Sequence, residues 1–194
     1  MLSAIIATHE SERSLVPTLA ALVPGVTSGL LSDVIVADGG SRDATREVAD
    51  IAGCRFVVSD APLGPRLKAA ARDAKGAWLL FLPAGSVPAS DWTETAGRFI
   101  EEAKRLGRAE QRAASFRPPP AADLLRPTLA EIAALFVHAL GGTPKPEQGL
   151  LIARQFYDAL GGHGDGDGAD AALLRKLGRR RIAILSSAAA RRDT

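Results

Sequence analysis

Four short apolar runs, each followed by a segment with helical spacing, constrain this chain more than any other feature. The runs are "SAIIAT", "DVIVAD", "CRFVVS" and "AWLLFL". After the first, Leu15, Leu19 and Leu22 recur at helical spacing, with Pro17 expected in the first helical turn. "SRDATREVADIAG" predicts a second helix, capped by Ser41, with Asp43 in its first turn and Gly53 as its stop. "PRLKAAARDAKG" predicts a third, closed by Gly76. Strands alternating with helices imply right-handed crossovers and a mostly parallel sheet flanked by helices. Strands of such a sheet are buried on both faces, which is why they read as unbroken apolar runs.

The second half is read more coarsely. "SDWTETAGRFIEEAKRLG" predicts a helix capped by Ser90, with Trp92, Ala96, Phe99, Ile100 and Ala103 on one apolar face. Pro118 to Pro120 form a stiff connection. A helical stretch is expected over Ala121 to Leu140, then a strand "GLLIA", a short helix "RQFYDALGG", a loop "HGDGDGAD", a helix "AALLRKLG" and a last strand "RIAIL".

The totals bound the function. The chain has 194 residues, which suits one domain, and is 46% hydrophobic and 24% charged, which suits a soluble globular protein. A net charge of +2 gives no support to a nucleic-acid partner. The late arginines (Arg179 to Arg181, Arg191, Arg192) read either as a solvated face or as a site for an anion or membrane surface. The single Cys54 permits no internal disulfide and fits a reducing, cytoplasmic compartment. The opening run lacks a basic segment before it, so no secretion signal is expected, and no stretch reaches the ~20 apolar residues that span a bilayer.

In parallel sheets of this type ligands bind beyond the carboxyl ends of the strands. The residues there are Thr8 to Glu10, Asp38 to Ser41, Asp60 to Arg66 and Pro83 to Ser86. Asp38 opens "DGGSRDAT" and reads either as a ligand-binding carboxylate or as the cap of its own turn. "HGDGDGAD" is similar to a calcium loop, but its sixth position is Asp170 and its twelfth Lys176, so that match fails. Its glycines fit a dinucleotide fingerprint only by letters, since they follow a helix. His9, His138 and His163 show no metal-ligand spacing.

The ordered set "AIIATHESERSL", "VIVADGGSRDAT", "AKGAWLLFL", "DALGG" and "ADAALLRKLGRRRIAIL" resembles a family 2 glycosyltransferase of the GT-A fold. "EQGLLIARQFYDALGG" and the terminal "AARR" are similar to a bacterial subgroup associated with radical-SAM and selenium proteins. The resemblance covers Leu2 to about Lys104, resumes from about Glu147 to Arg192, and is poor between. It implies one Rossmann-like domain over 1–194, with a nucleotide-binding half over 1–104 and an acceptor half over 105–194. It further implies sugar (hexosyl) transfer from a nucleotide-diphosphate sugar to an acceptor that in this family is often lipid-linked, with a cytoplasmic location or one peripheral to the membrane.

Site residues follow from the resemblance position by position. Thr8, His9, Glu10 and Asp38 fall where the family contacts base and ribose, although His9 also fits a histidine merely exposed at a strand end. Arg66 falls where a guanidinium meets the diphosphate, or is a first-turn surface residue. Glu147 and Gln148 fall on the acceptor side. Asp170 is the retained half of a Glu-Asp pair, with Ala169 for Glu, and reads either as general base or as a helix cap.

One departure is plain. The family's Asp-x-Asp aligns with Pro83, Ala84 and Gly85, none of which offers a side-chain oxygen for the Mg or Mn that the family uses. The expectation is transfer with weak or no metal dependence. The alternative is a catalytically degenerate relative that binds a nucleotide, a sugar or a protein. A nucleotidyltransferase ranks lower, because "ATHESERS" lacks the Gly-rich loop such enzymes carry after the first strand.

Overall fold

The computed structural model describes residues 1–119, 144–166 and 168–191. The expected helix over Ala121 to Leu140, with His138, lies outside the described residues, as do Asp167 and Arg192.

The first half follows the alternation of the sequence. It runs β1 (Leu2–Thr8), α1 (Glu12–Thr27), β2 (Leu31–Asp38), α2 (Thr45–Ile51), β3 (Arg55–Val58), α3 (Leu63–Asp73) and β4 (Trp78–Pro83). Strands β1 to β4 are mutually parallel in the order β3-β2-β1-β4. The parallel register sets Thr8 beside Asp38 and Ala7 beside Pro83. The residues picked out at the strand ends therefore share one rim. Ile5, Ile6, Ile35, Val36, Leu79 and Leu80 are at most 1% exposed, as expected for strands covered on both faces.

The remaining elements are β5 (Ser86–Pro88), α4 (Trp92–Arg105), β6 (Ala113–Arg117), a 3-10 turn at Pro146–Gln148, β7 (Leu150–Ala153), α5 (Arg154–Ala159), α6 (Ala169–Leu177), a 3-10 turn at Arg179–Arg181 and β8 (Ile182–Arg191). They extend the sheet to eight strands, β3-β2-β1-β4-β7-β6-β8-β5. Here β7 runs antiparallel to both β4 and β6, β8 runs parallel to β6, and β5 runs antiparallel to β8. The sheet is mixed and α/β, with its parallel part in the first half.

Several local expectations are corrected. Strands β5 and β6 are not evident in the sequence. Pro17 lies past the first turn of α1, and Pro24 is also within the helix. The carbonyls that lose their partners belong to Arg13 and Ala20, both exposed, so water satisfies them. Ser41 does not cap α2. The helix starts at Thr45, and Asp43 accepts from the Thr45 backbone N–H instead. Ser90 does not cap α4, whose flanking residue is Asp91. α3 ends at Ala74, two residues before Gly76.

Trp92 anchors α4 to α1. It is fully buried and its Nε1 donates to the Ala21 carbonyl at 2.8 Å. Gly25 makes room for it, because a Cβ there would lie 2.6 Å from the indole ring. Phe99 meets Trp78 edge to face.

Candidate functional site

The rim is built from two interlocked loops. The Asp38 side chain is fully buried. Its Oδ1 accepts from the hydroxyls of Thr8 (2.7 Å) and Ser41 (2.6 Å), and its Oδ2 from the backbone N–H groups of Gly40 (2.8 Å) and Ser41 (2.7 Å). Burial alone would raise its carboxyl, but the bonds from Ser41, Thr8 and Gly40 outweigh that and hold it below the ordinary carboxylate range. This geometry is that of the turn-capping reading of Asp38. It organises the turn after β2, and all four of its bonds are to the protein.

The turn after β1 is tied to the turn after β2. The Glu10 N–H donates to the Ser41 hydroxyl, and the Arg42 N–H donates to Glu10 Oε1. The Ser11 N–H donates to the Thr45 hydroxyl, and the Glu12 N–H to Asp43. His9 Nδ1 lies 3.2 Å from the Gly39 carbonyl, with its ring exposed. Glu10 adopts φ of 50°, the left-handed conformation that side chains resist, and these bonds hold it there.

Arg66 lies beneath the second turn. Its Nη1 donates to the carbonyls of Thr8 and Ala37, at 3.1 and 3.3 Å. A Cβ at Gly39 would approach that nitrogen to 2.6 Å, so any larger residue there would push the guanidinium aside. Burial pulls the guanidinium below its usual range, opposed by the charge of Asp38. Its Nε is buried without a partner among the described residues. Arg66 is therefore tied into the rim and is not a free surface side chain.

Beside these loops opens a narrow cleft of about 20 Å³, lined by Ala7, Phe81 and Pro83 and by Pro146, His163 and Asp170. Asp170 stands in the first turn of α6, one residue inside the helix, and makes no capping bond. Its Oδ1 lies 3.0 Å from His163 Nε2, and the side chain is 25% exposed. The cap reading of Asp170 therefore falls.

His163 is 2% exposed, although its sequence reads as part of a loose glycine-rich loop. Its ring meets Phe81 edge to face. Its Nδ1 lies 2.8 Å from the Tyr157 hydroxyl, which also accepts from the His163 backbone N–H. Burial pushes the Tyr157 phenol up to about 12, so it keeps its proton. The Nε2 that faces the Asp170 carboxylate carries a proton, because a carboxylate only accepts. Sequence reasoning missed this chain of three residues. Its one signal is the pair Gly161–Gly162, whose φ values of 79° and 69° fold the chain back on Tyr157.

The acceptor-side residues separate. Gln148 is buried, its amide donating to the Phe116 carbonyl and accepting from the Lys145 N–H, so it holds the turn and does not reach the cleft. Glu147 is partly exposed, and its carboxylate lies 3.9 Å from Arg191. Its carbonyl accepts from the Ser86 hydroxyl.

The positions aligned with the metal-binding carboxylates do not fit a cation. Pro83 ends β4, and the Gly85 N–H is spent on the Ser14 carbonyl and the Thr18 hydroxyl. Gly85 has φ of 89°, so an aspartate there would be strained. Among the described residues no three His, Cys, Asp or Glu side chains cluster as metal ligands. No helix of the described residues is long and apolar enough to cross a membrane.

Residues 3–115 match the model of glycosyl transferase family 2. Among curated proteins, none matches the chain in sequence. Similar solved structures include glucosyl-3-phosphoglycerate synthase from Mycobacterium tuberculosis in complex with Mn2+, UDP and glucosyl-3-phosphoglycerate. That likeness covers 100% of this chain and 72% of the other, at 18% identity and a TM-score of 0.65. Another is TarS 1-349 from S. aureus, at 17% identity and a TM-score of 0.67, covering 98% of this chain and 60% of that one. The same TarS fragment in complex with UDP-GlcNAc is similar at 18% identity, with 59% of its length spanned. At these identities the likeness establishes the fold.

Proposed function

The chain belongs to glycosyl transferase family 2, and from that premise we propose that it transfers a sugar from a nucleotide-diphosphate donor to an acceptor hydroxyl. The observation that carries this reading is Asp170, a carboxylate open to the cleft beside the rim and held by a buried histidine. The solved relatives with bound UDP, UDP-GlcNAc and phosphoglyceric acid support a nucleotide-sugar donor. The acceptor's identity rests on no residue of the cleft.

The first half (1–104) is proposed to hold the nucleotide and the second (105–194) the acceptor. Asp38 and Thr8 keep the two loops in shape, and His9 and Glu10 present an exposed ring and a carboxylate to the nucleoside. Arg66 sets a positive charge at the strand ends for the diphosphate. Asp170 takes the proton of the acceptor hydroxyl as that oxygen bonds to the anomeric carbon and the bond to the diphosphate breaks. General-base assistance of this kind contributes about 10²- to 10⁴-fold. His163 donates to one oxygen of Asp170 and leaves the other for the acceptor. In the family a divalent cation neutralises charge on the departing diphosphate; the residues at Pro83 to Gly85 do not hold one, so weak or no metal dependence is proposed.

Those same residues favour a second reading, a nucleotide-binding module that no longer catalyses. Calorimetric titration with UDP- and GDP-sugars tests both. Binding is expected under either reading, and its absence for every donor would overturn both. Turnover of a bound donor separates them.

A further inference from the structure

A second feature lies at the opposite end of the sheet. β4 and β6 both run antiparallel to β7, and β8 runs parallel to β6. The starts of β6 and β8 are therefore at the end away from Thr8, Asp38 and Pro83. There, Arg108, Arg112, Arg180 and Arg181 line an open hollow of about 480 Å³ floored by the buried Phe156, with Glu110 the one carboxylate in its lining. None of the four guanidinium groups has an ion pair or hydrogen bond among the described residues, and Arg112 Nε is buried without a partner. Gly178, with φ of 72°, and the bond from the Arg181 N–H to its carbonyl turn Arg180 and Arg181 into this hollow.

A mostly apolar hollow of about 90 Å³ adjoins it and shares Arg108 and Arg112. Its remaining lining is Phe99, Glu102, Ala103, Leu106 and Ala183. Leu106 and the neighbouring Ile184 are 44% and 53% exposed. Four arginines against Glu110 in one hollow leave an excess of positive charge, and arginine forks match phosphate oxygens. Exposed aliphatic side chains beside them match hydrocarbon, and among the described residues no exposed aromatic side chain, on which nucleic-acid bases stack, lines either hollow.

We propose that this end of the sheet docks on an anionic phospholipid bilayer. The arginines take the phosphate headgroups, and Leu106 and Ile184 enter the headgroup boundary. The cleft with Asp170 then faces away from the bilayer it rests on. The proposal is independent of the donor reading.

Co-sedimentation of the full chain with vesicles tests it. Mixed phosphatidylglycerol and phosphatidylcholine vesicles are expected to pellet the protein, and phosphatidylcholine alone is not. Each arginine near an anionic surface contributes roughly fivefold in partitioning. Replacing Arg108, Arg180 and Arg181 together by Gln is thus expected to weaken binding about a hundredfold, with the circular dichroism spectrum unchanged. Leu106→Asp, which alters one exposed position, is expected to weaken it as well and serves if the triple variant does not fold. Raised salt is expected to release the protein. Failure to pellet with anionic vesicles, or pelleting that neither variant alters, would overturn the proposal. So would saturable binding of glycerol 3-phosphate or of RNA without vesicle binding, which would assign the hollow to a soluble phosphate or a nucleic acid.

Discussion

His163 Nε2 lies 3.0 Å from Asp170 Oδ1, and the Tyr157 hydroxyl pairs with Nδ1 on the far side of the ring. A buried imidazole thus orients a carboxylate that opens on the cleft. The arrangement makes His163 a positioning residue, and it can be tested apart from folding.

His163→Phe keeps an aromatic ring against Phe81 and removes the donor. It is expected to lower kcat about tenfold or more, with the KM for donor unchanged, since one hydrogen bond to a charged group contributes roughly 1.5–3 kcal/mol. His163→Gln restores a donor near the Nε2 position and is expected to recover part of the rate. Steady-state kinetics on both variants reads the split. Equal rates in wild type and His163→Phe would remove His163 from the mechanism.

Asp38 supplies stability that depends on pH. Its carboxyl is held below the ordinary value of 3.8 in the folded chain. On acidification the unfolded chain binds this proton first, so the contribution is complete above the unfolded value and is lost as pH falls through the folded one. Asp38→Asn is expected to be less stable than wild type at pH 7, by about 3 kcal/mol. Its denaturation midpoint is also expected to fall less steeply from about pH 5 to about pH 2. Urea unfolding across that range checks both.

Chelation is expected to leave donor turnover within about twofold, because Pro83, Ala84 and Gly85 provide no oxygen ligands for a divalent cation. Loss of turnover with EDTA, restored by Mn2+, would show that other groups hold the ion.

Trp92→Ala empties the contact between α4 and α1 and removes the bond to Ala21. It is expected to destabilise the chain by about 3–5 kcal/mol. Gly25→Ala is expected to destabilise as well, since its Cβ would lie 2.6 Å from the same ring. Thermal unfolding measures both.

The first half was legible because its physics is local. Apolar runs such as Trp78 to Leu82 become buried parallel strands, and the ends of such strands must share a rim, which brought Thr8 and Asp38 together from sequence alone. The second half resisted because its determinants are tertiary. Ser86–Pro88 is a strand because β8 pairs with it, and the alanine-rich Ala113–Arg117 because β7 and β8 flank it. Asp170 was picked out, but its partner was not. The six residues between His163 and Asp170 read as a polar glycine-rich loop, and the left-handed turn at Gly161 and Gly162 returns the ring to Tyr157. Likewise, nothing local marks Gln148 as a buried brace for the Phe116 carbonyl.

Donor consumption by wild type and by Asp170→Asn, measured as release of nucleoside diphosphate alongside calorimetric donor affinity, tests the central claim most directly. The account predicts turnover in the wild type, a loss of about 10²- to 10⁴-fold in the variant, and unchanged donor affinity. A wild type that binds donor and never releases the diphosphate, or a variant as fast as wild type, would contradict it.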